Sequence, residues 1–84
     1  MKNYELIKQK VNEFLIEEFE IDEDKIYDDA RLKEDVGIDS LDYVDIVVIV
    51  QRVFGFKIQL SELKGVVTLR EFYEYIFERV KNEE

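Results

Sequence analysis

Asp39, Ser40 and Asp42 set a serine hydroxyl between two carboxylates, and chemistry could be built on this stretch of the 84-residue chain. The sequence contains no Cys and no His, so thiol nucleophiles, disulfides, zinc sites and every Ser-His or Cys-His relay are excluded. No general base accompanies Ser40, which therefore cannot activate itself. The residue reads as a substrate for another protein's chemistry, and no catalytic residue and no metal ligand is assigned. One cation motif is rejected on its spacing. Asp22-x-Asp24 begins like an EF-hand loop, but Ile26 stands at the fifth position, Tyr27 where the sharp-turn Gly belongs, and Lys33 at the twelfth in place of a bidentate Glu.

Helical periodicity supplies the elements that must position Ser40. Ile7, Val11, Phe14, Leu15 and Phe19 step at three and four residues from about Tyr4 to Phe19, with Leu6 broadening the stripe. Leu69, Phe72, Tyr73, Ile76, Phe77 and Val80 form the cleanest stripe, and Thr68 with Glu71 gives it a capping box. Between these two helices, Leu60 to Leu63 make about one turn before Gly65, a C-terminal stop. Phe14, Phe19, Phe54, Phe72, Tyr73 and Phe77 are assigned to the core. Gly37 marks backbone that needs positive φ or close approach just before Ser40.

The segment Leu41 to Phe54 admits two readings. Its all-β-branched run Ile46 to Val50 argues on propensity for a buried strand. At helical spacing the segment splits into two opposite stripes instead: Tyr43, Ile46, Val47, Val50, Phe54, and Leu41, Val44, Asp45, Val48, Arg52. In the helical reading one face is core and the other an apolar patch broken by charges, as docking surfaces are. Asp39 is a good N-cap and Asp42 falls at N3, where the helix dipole welcomes acids.

Composition bounds the rest. The length allows one compact domain, residues 1–84, and 46% hydrophobic residues are too many for a disordered chain. The formal net charge is −9, and residues 1–42 carry 14 acids against six bases. Eight of those acids lie between Glu17 and Asp29, with Lys25 the only base among them. Such a block reads as a solvated helix end and loop whose mutual repulsion added salt should screen. Nucleic acid and anionic membranes are poor partners for this charge, and a basic protein surface is a better one. The longest unbroken apolar run is five residues, so no membrane span and no signal segment are expected, and the expected location is the cytoplasm.

The string Leu32-Lys33-Glu34-Asp35-Val36-Gly37-Ile38-Asp39-Ser40-Leu41-Asp42 resembles the phosphopantetheine attachment motif of the acyl carrier protein family. The order of elements is similar too: an amphipathic helix, a long loop, the motif, a second helix ending in Phe54, a short third helix and a capped fourth. The resemblance implies an all-α fold, a four-helix bundle with three longer helices and one short third helix, and it reads Leu41 to Phe54 as helix. It implies that Ser40 carries 4'-phosphopantetheine covalently, flanked by Asp39 and Leu41, and that the arm's thiol holds acyl groups as thioesters. The protein is then no enzyme but a monomeric carrier that delivers its cargo to the enzymes of fatty-acid or related lipid and polyketide biosynthesis. Its implied partners are a phosphopantetheinyl transferase and acyl-transfer, ketosynthase or ligase enzymes with basic docking surfaces, met through Asp39, Leu41, Asp42, Val44, Asp45, Val48 and Arg52. The acyl chain is expected in the helical core. An aminoacyl or peptidyl carrier and a helical adaptor without prosthetic group are the alternatives. A hydroxyl at the first position of a helix, beside unpaired N–H groups and the positive end of the dipole, suits a phosphodiester.

The chain also departs from the family pattern. Gln51 and Arg52 stand where Glu is common, Lys57 where another acid is frequent, and Gln59 in place of the usual Pro. Arg52 lies two turns from Asp45 on the docking stripe, so a basic partner would meet a like charge there. A specialised carrier that leans on Leu41, Val44 and Val48 is the expectation.

Overall fold

The computed structural model describes residues 2–83, and side chains over residues 4–81. Four α-helices organise it: α1 (Lys2–Phe19), α2 (Ser40–Phe54), α3 (Leu60–Lys64) and α4 (Leu69–Glu83). No strand occurs among the described residues; the one β-type contact is an isolated antiparallel bridge between Arg31 and Thr68. The bundle of three longer helices and one short third helix is therefore the fold observed, and the β-branched run of α2 is helical. Burial decides it: as a helix, α2 places Tyr43, Ile46 and Val50 in the core at 1% exposure or less while keeping its backbone bonded internally.

The two expected stripes of α2 separate as predicted. Tyr43, Ile46 and Val50 are buried with Val47 and Phe54 packed beside them, whereas Leu41, Val44 and Val48 are 79%, 52% and 59% exposed. Ile49, which belongs to neither stripe, is also buried. It borders a cleft shared with Glu18 and Phe19 of α1, so the core face of α2 is wider than the spacing alone suggested.

α1 packs on α4 and α2 on α3. The α1–α4 seam is aromatic: Tyr4 meets Tyr73 and Phe77 edge to face, and Phe14 meets Phe72 in the same way. Tyr73 is fully buried, and its hydroxyl donates to Asn12 Oδ1 at 2.6 Å, which meets the requirement of a polar tip inside an apolar seam. Of the aromatics assigned to the core, Phe14, Phe72 and Tyr73 are buried, and Phe19, Phe54 and Phe77 line it half-exposed.

The expected long loop between α1 and Ser40 is more structured than the sequence suggested. It contains a 3₁₀ turn, Glu23–Lys25, and a five-residue π-helical turn, Leu32–Val36. These turns are held from outside themselves. The Leu32 N–H donates to Val67 O at 2.8 Å, while Leu69 N–H donates to Ala30 O and Arg70 N–H to Asp28 O. The segment before Ser40 is thus bonded to the start of α4, and buried Leu32, Val36 and Ile38 plug it into the core.

Helix ends follow the local chemistry with two exceptions, Glu20 after α1 and Gly65 after α3. Thr68 Oγ1 accepts from Glu71 N–H and Glu71 Oε1 from Thr68 N–H, the expected capping box of α4. α1 ends with Glu20 in the left-handed region at φ 56° and with Ile21 N–H donating back to Leu15 O, a conformation that favours glycine. Gly65 does follow α3, but at φ −83° rather than in the left-handed conformation of a glycine stop. α3 closes instead by tight bonds from Gly65 N–H to Glu62 O and from Val66 N–H to Leu63 O.

Candidate functional site

Ser40 is the first residue of α2 and is exposed to solvent. Asp39, in extended conformation at the N-cap, accepts from the backbone N–H of Leu41 at 3.0 Å and of Asp42 at 3.2 Å through Oδ1. Asp42 Oδ2 returns the bond by accepting from Asp39 N–H at 3.2 Å. This reciprocal box corrects one expectation. The N–H groups of Leu41 and Asp42 are not open to an anion at Ser40, because the Asp39 carboxylate already takes them. The two acids also offset the dipole's positive end, so a phosphodiester on Ser40 would project outward rather than sit in a cradle.

The turn ahead of the site is rigid for identifiable reasons. Gly37 is left-handed at φ 93°, and no atom would crowd a Cβ there within 4 Å, so backbone conformation rather than close approach demands the glycine. Its N–H and that of Ile38 both donate to Leu32 O, at 3.0 and 2.8 Å. Arg31 donates to Asp35 Oδ2 from its backbone N–H at 2.9 Å and from Nε at 3.2 Å. Those bonds, the backbone one first, hold the Asp35 carboxyl below the usual carboxylate range.

The fit of a phosphopantetheine arm rests on these observations: a hydroxyl in solvent at a fixed helix start, no buried orphan polar group among the described residues that asks for another ligand, and an exposed apolar strip beginning at the next residue. Asp39, Ser40, Leu41 and Asp42 share one turn, and Val44, Asp45 and Val48 continue the same exposed side of α2. Arg52 ends that side, with its Nη2 bonded at 3.1 Å to Glu18 Oε2 of α1. Val48, Asp45 and Arg52 line a cleft of about 320 Å³ with Glu18, Phe19 and Ile49.

The acidic block Glu17 to Asp29 is less self-repelling than its composition implied. Asp28 pairs with Lys8 at 3.1 Å and Arg70 at 3.9 Å, Asp29 with Arg70 at 2.6 Å, and Glu18 with Arg52. Every one of these cations comes from another element.

A second feature escaped the sequence reading. Lys33 and Glu34 of the π turn, Tyr43 of α2, and Lys64, Val66 and Val67 after α3 line a cleft of about 140 Å³. The Lys33 ammonium lies 5.9 Å from the centre of the Tyr43 ring. The Tyr43 hydroxyl is pushed up above its ordinary pKa, first by burial and then by the Glu34 charge, and stays a neutral donor. Only the Tyr43 position was marked by periodicity, as core. The other walls come together through the Leu32–Val67 backbone bond.

Comparison with known proteins places these features in a family. The model of the family described as "Phosphopantetheine attachment site" matches residues 9–76. The acyl carrier protein of Phytoplasma mali is 34% identical over 77 residues, covering 92% of each chain. That of Thermotoga maritima is 34% identical over 76 residues, 90% of this chain and 94% of its own. The acyl carrier protein of Rubrobacter xylanophilus is 31% identical over 74 residues, 88% and 91%.

Proposed function

Because the chain belongs to the phosphopantetheine attachment family and is an acyl carrier with a covalent 4'-phosphopantetheine, we propose that Ser40 is the residue that bears the arm. The observation that carries this reading is the exposed Ser40 hydroxyl at the first position of α2, locked in place by the Asp39–Asp42 capping box. The arm supplies a thiol on which acyl groups are held as thioesters. The protein's own residues do the rest. Asp39 and Asp42 fix the helix start and therefore the direction of the Ser40 side chain. Gly37, Val36 and Ile38 anchor the turn that presents it. Neither carboxylate is a base for Ser40, since both are engaged by backbone N–H groups, and deprotonation of the hydroxyl falls to the modifying transferase.

Carriers of this family serve biosynthetic enzymes without catalysing a reaction themselves. The finer reading is that Leu41, Val44 and Val48 form the apolar strip that partners cover, with Asp39, Asp42 and Asp45 steering basic surfaces towards it. The partners so addressed are a phosphopantetheinyl transferase and acyl-transfer, ketosynthase or ligase enzymes of fatty-acid or related lipid synthesis. No described helix is long and apolar enough to cross a membrane. Arg52 is a weaker obstacle to basic partners than its position in the sequence implied, because Glu18 shares its charge. Incubation with coenzyme A, Mg²⁺ and a broad-specificity phosphopantetheinyl transferase should add the mass of one phosphopantetheine, and Ser40→Ala should add none. An unmodified wild type, or a modified Ser40→Ala variant, overturns the assignment.

A further inference from the structure

A helix leaves its first backbone N–H groups without partners inside itself, and those of α4 are taken up by another segment. Leu69 N–H donates to Ala30 O and Arg70 N–H to Asp28 O, each at 2.9 Å, so the loop ahead of Ser40 caps the helix with its own carbonyls. The Glu71 side chain also reaches beyond the ordinary box. A capping-box acid bonds the N-cap N–H, here that of Thr68. Glu71 Oε1 accepts from Thr68 N–H at 3.3 Å, and from Val67 N–H, one residue farther out, at 2.8 Å. The shorter bond is the one that a helix cap does not need.

Both bonds fix the Val67–Thr68 peptide group, and that group leads back towards Ser40. Its N–H donates to Glu71 Oε1, and its carbonyl, Val67 O, accepts from Leu32 N–H at 2.8 Å. The Arg31–Leu32 peptide group continues in the same sense: its N–H is that of Leu32, and its carbonyl, Arg31 O, accepts from the Asp35 and Val36 N–H groups at 2.9 Å. Leu32 O in turn accepts from Gly37 and Ile38 N–H. The carboxylate, two peptide groups in series and the closing bonds of the π turn thus form an unbroken chain that stops just short of the Asp39 cap and Ser40. Bonds in such a series polarise and strengthen one another, so loss of the acceptor at its start loosens the far end as well.

We propose that Glu71 is a positioning residue for attachment of the arm: through the Val67–Thr68 and Arg31–Leu32 peptide groups its carboxylate holds the turn that presents Ser40 to the transferase. The inference rests on Ser40 as the attachment residue and adds a residue of α4 to the requirements of that reaction. Without the Glu71 carboxylate the apolar strip Leu41, Val44 and Val48 still docks, but part of the docked population offers the serine out of place. The defect falls on turnover rather than on binding.

The test follows modification of the intact protein by a broad-specificity phosphopantetheinyl transferase at saturating coenzyme A, read by intact mass, for wild type, Glu71→Ala, Glu71→Gln and Asn12→Ala. Glu71 is exposed, so neither of its substitutions disturbs the core. Glu71→Ala should lower kcat about fivefold, the population change that loss of a cap-type bond brings, with KM for the carrier unchanged. Glu71→Gln keeps an acceptor oxygen at the same reach and should stay within about twofold of wild type. Asn12→Ala removes the acceptor of the buried Tyr73 hydroxyl, which is no part of this chain of bonds, and should lower the melting temperature while leaving kcat as it was. A readout independent of the transferase is the Leu32 amide proton, whose resonance should move upfield in Glu71→Ala, as a weakened hydrogen bond requires, and hold its place in Asn12→Ala. A wild-type kcat in Glu71→Ala, a loss seen in KM alone, an equal slowing by Asn12→Ala, a glutamine variant as slow as the alanine one, or an unmoved Leu32 resonance overturns this inference while leaving Ser40 modified. A wild-type protein that takes up no arm overturns the attachment reading itself.

Discussion

Two stretches of this molecule are rich in acids, and they use them in opposite ways. Between Glu17 and Asp29 the carboxylates are matched from afar: Asp28 by Lys8 and Arg70, Asp29 by Arg70, Glu18 by Arg52. At the start of α2, among the described residues, Asp39 and Asp42 bond only to backbone N–H groups, and Asp45 is exposed with no ion pair. The first set ties α1 and the following loop to α2 and α4. The second leaves negative charge facing outward beside an uncovered apolar strip. Equal composition therefore serves cohesion in one place and presentation in the other, and neither role could be assigned by counting acids.

The sharpest way to break the first half of this comparison is alkaline pH. Tyr73, buried in the α1–α4 seam, is pushed up to about 12, first by burial and then by the Asp28 charge. Tyr75 is pushed up to about 12 by burial and by its hydrogen bond to Glu62. For both phenols the folded pKa exceeds the unfolded value of 10, so the folded state keeps protons that the unfolded chain releases. Their contribution is complete below pH 10 and is lost as pH climbs towards 12. A melting temperature that falls steeply across that interval is the expected result. Asp28→Asn removes a charge that raises Tyr73, so it should reduce the total fall in melting temperature across that interval if the acidic block bears on the seam, and an unchanged fall would separate the two.

At the other region the largest effect should come from Asp39→Ala. It removes the acceptor for two backbone N–H groups and half of a capping box, which costs about 1–2 kcal/mol. Chemical denaturation measures it. The same variant should be a slower substrate for the transferase, because Ser40 then sits on a frayed first turn. A variant as stable as the wild type would show that the turn is held by Val36 and Ile38 alone.

Glu20→Gly acts on the acidic block with opposite sign. Glu20 is left-handed, a conformation that costs a residue with a side chain about 1–2 kcal/mol, and glycine relieves it while loosening the unfolded chain. A net stabilisation of about 0.5–1 kcal/mol is expected by the same denaturation measurement. Glu20→Ala, which removes the charge and keeps the strain, is the control; an equal gain from alanine would mean that charge repulsion, not backbone, is being relieved.

The legibility of these features in the sequence followed their range. The Thr68–Glu71 capping box, the N-cap at Asp39 and the positive φ at Gly37 depend on residues within four positions of one another, the two faces of α2 on regular helical spacing, and these stand as read. The family pattern supplied what propensity withheld, since Ile46 to Val50 pointed to a strand until the core claimed Ile46 and Val50. What stayed hidden was nonlocal. The π turn depends on Val67 O, the cations that answer the acidic block lie 20 to 42 positions from their acids, as with Arg52 and Glu18 at 34, and the Lys33–Lys64 cleft joins three separate segments. Gly65 ends α3 as expected, at right-handed φ, its last turn being closed by tighter bonds.

The smallest effect on stability, and the finest test of the comparison, is the pair Asp45→Asn and Arg52→Gln. Both residues lie on the exposed side of α2 and both line the cleft beside Val48, yet they belong to different halves of the contrast. Asp45 makes no ion pair among the described residues, so its neutralisation should change the unfolding free energy by less than about 0.5 kcal/mol, as surface substitutions usually do. Its effect should appear in association with a basic partner such as a fatty-acid ketosynthase, as a slower on-rate at low salt that converges with wild type at high salt. Arg52 is paired to Glu18, so Arg52→Gln removes an exposed bridge worth about 0.2–1 kcal/mol and frees a carboxylate at the same edge. Stability should drop slightly and association with the same partner should quicken. If Asp45→Asn proves the more destabilising of the two, or if Arg52→Gln leaves the on-rate unchanged, the division between cohesive and presented charge does not extend to the end of α2, and Arg52 is simply a strut between two helices.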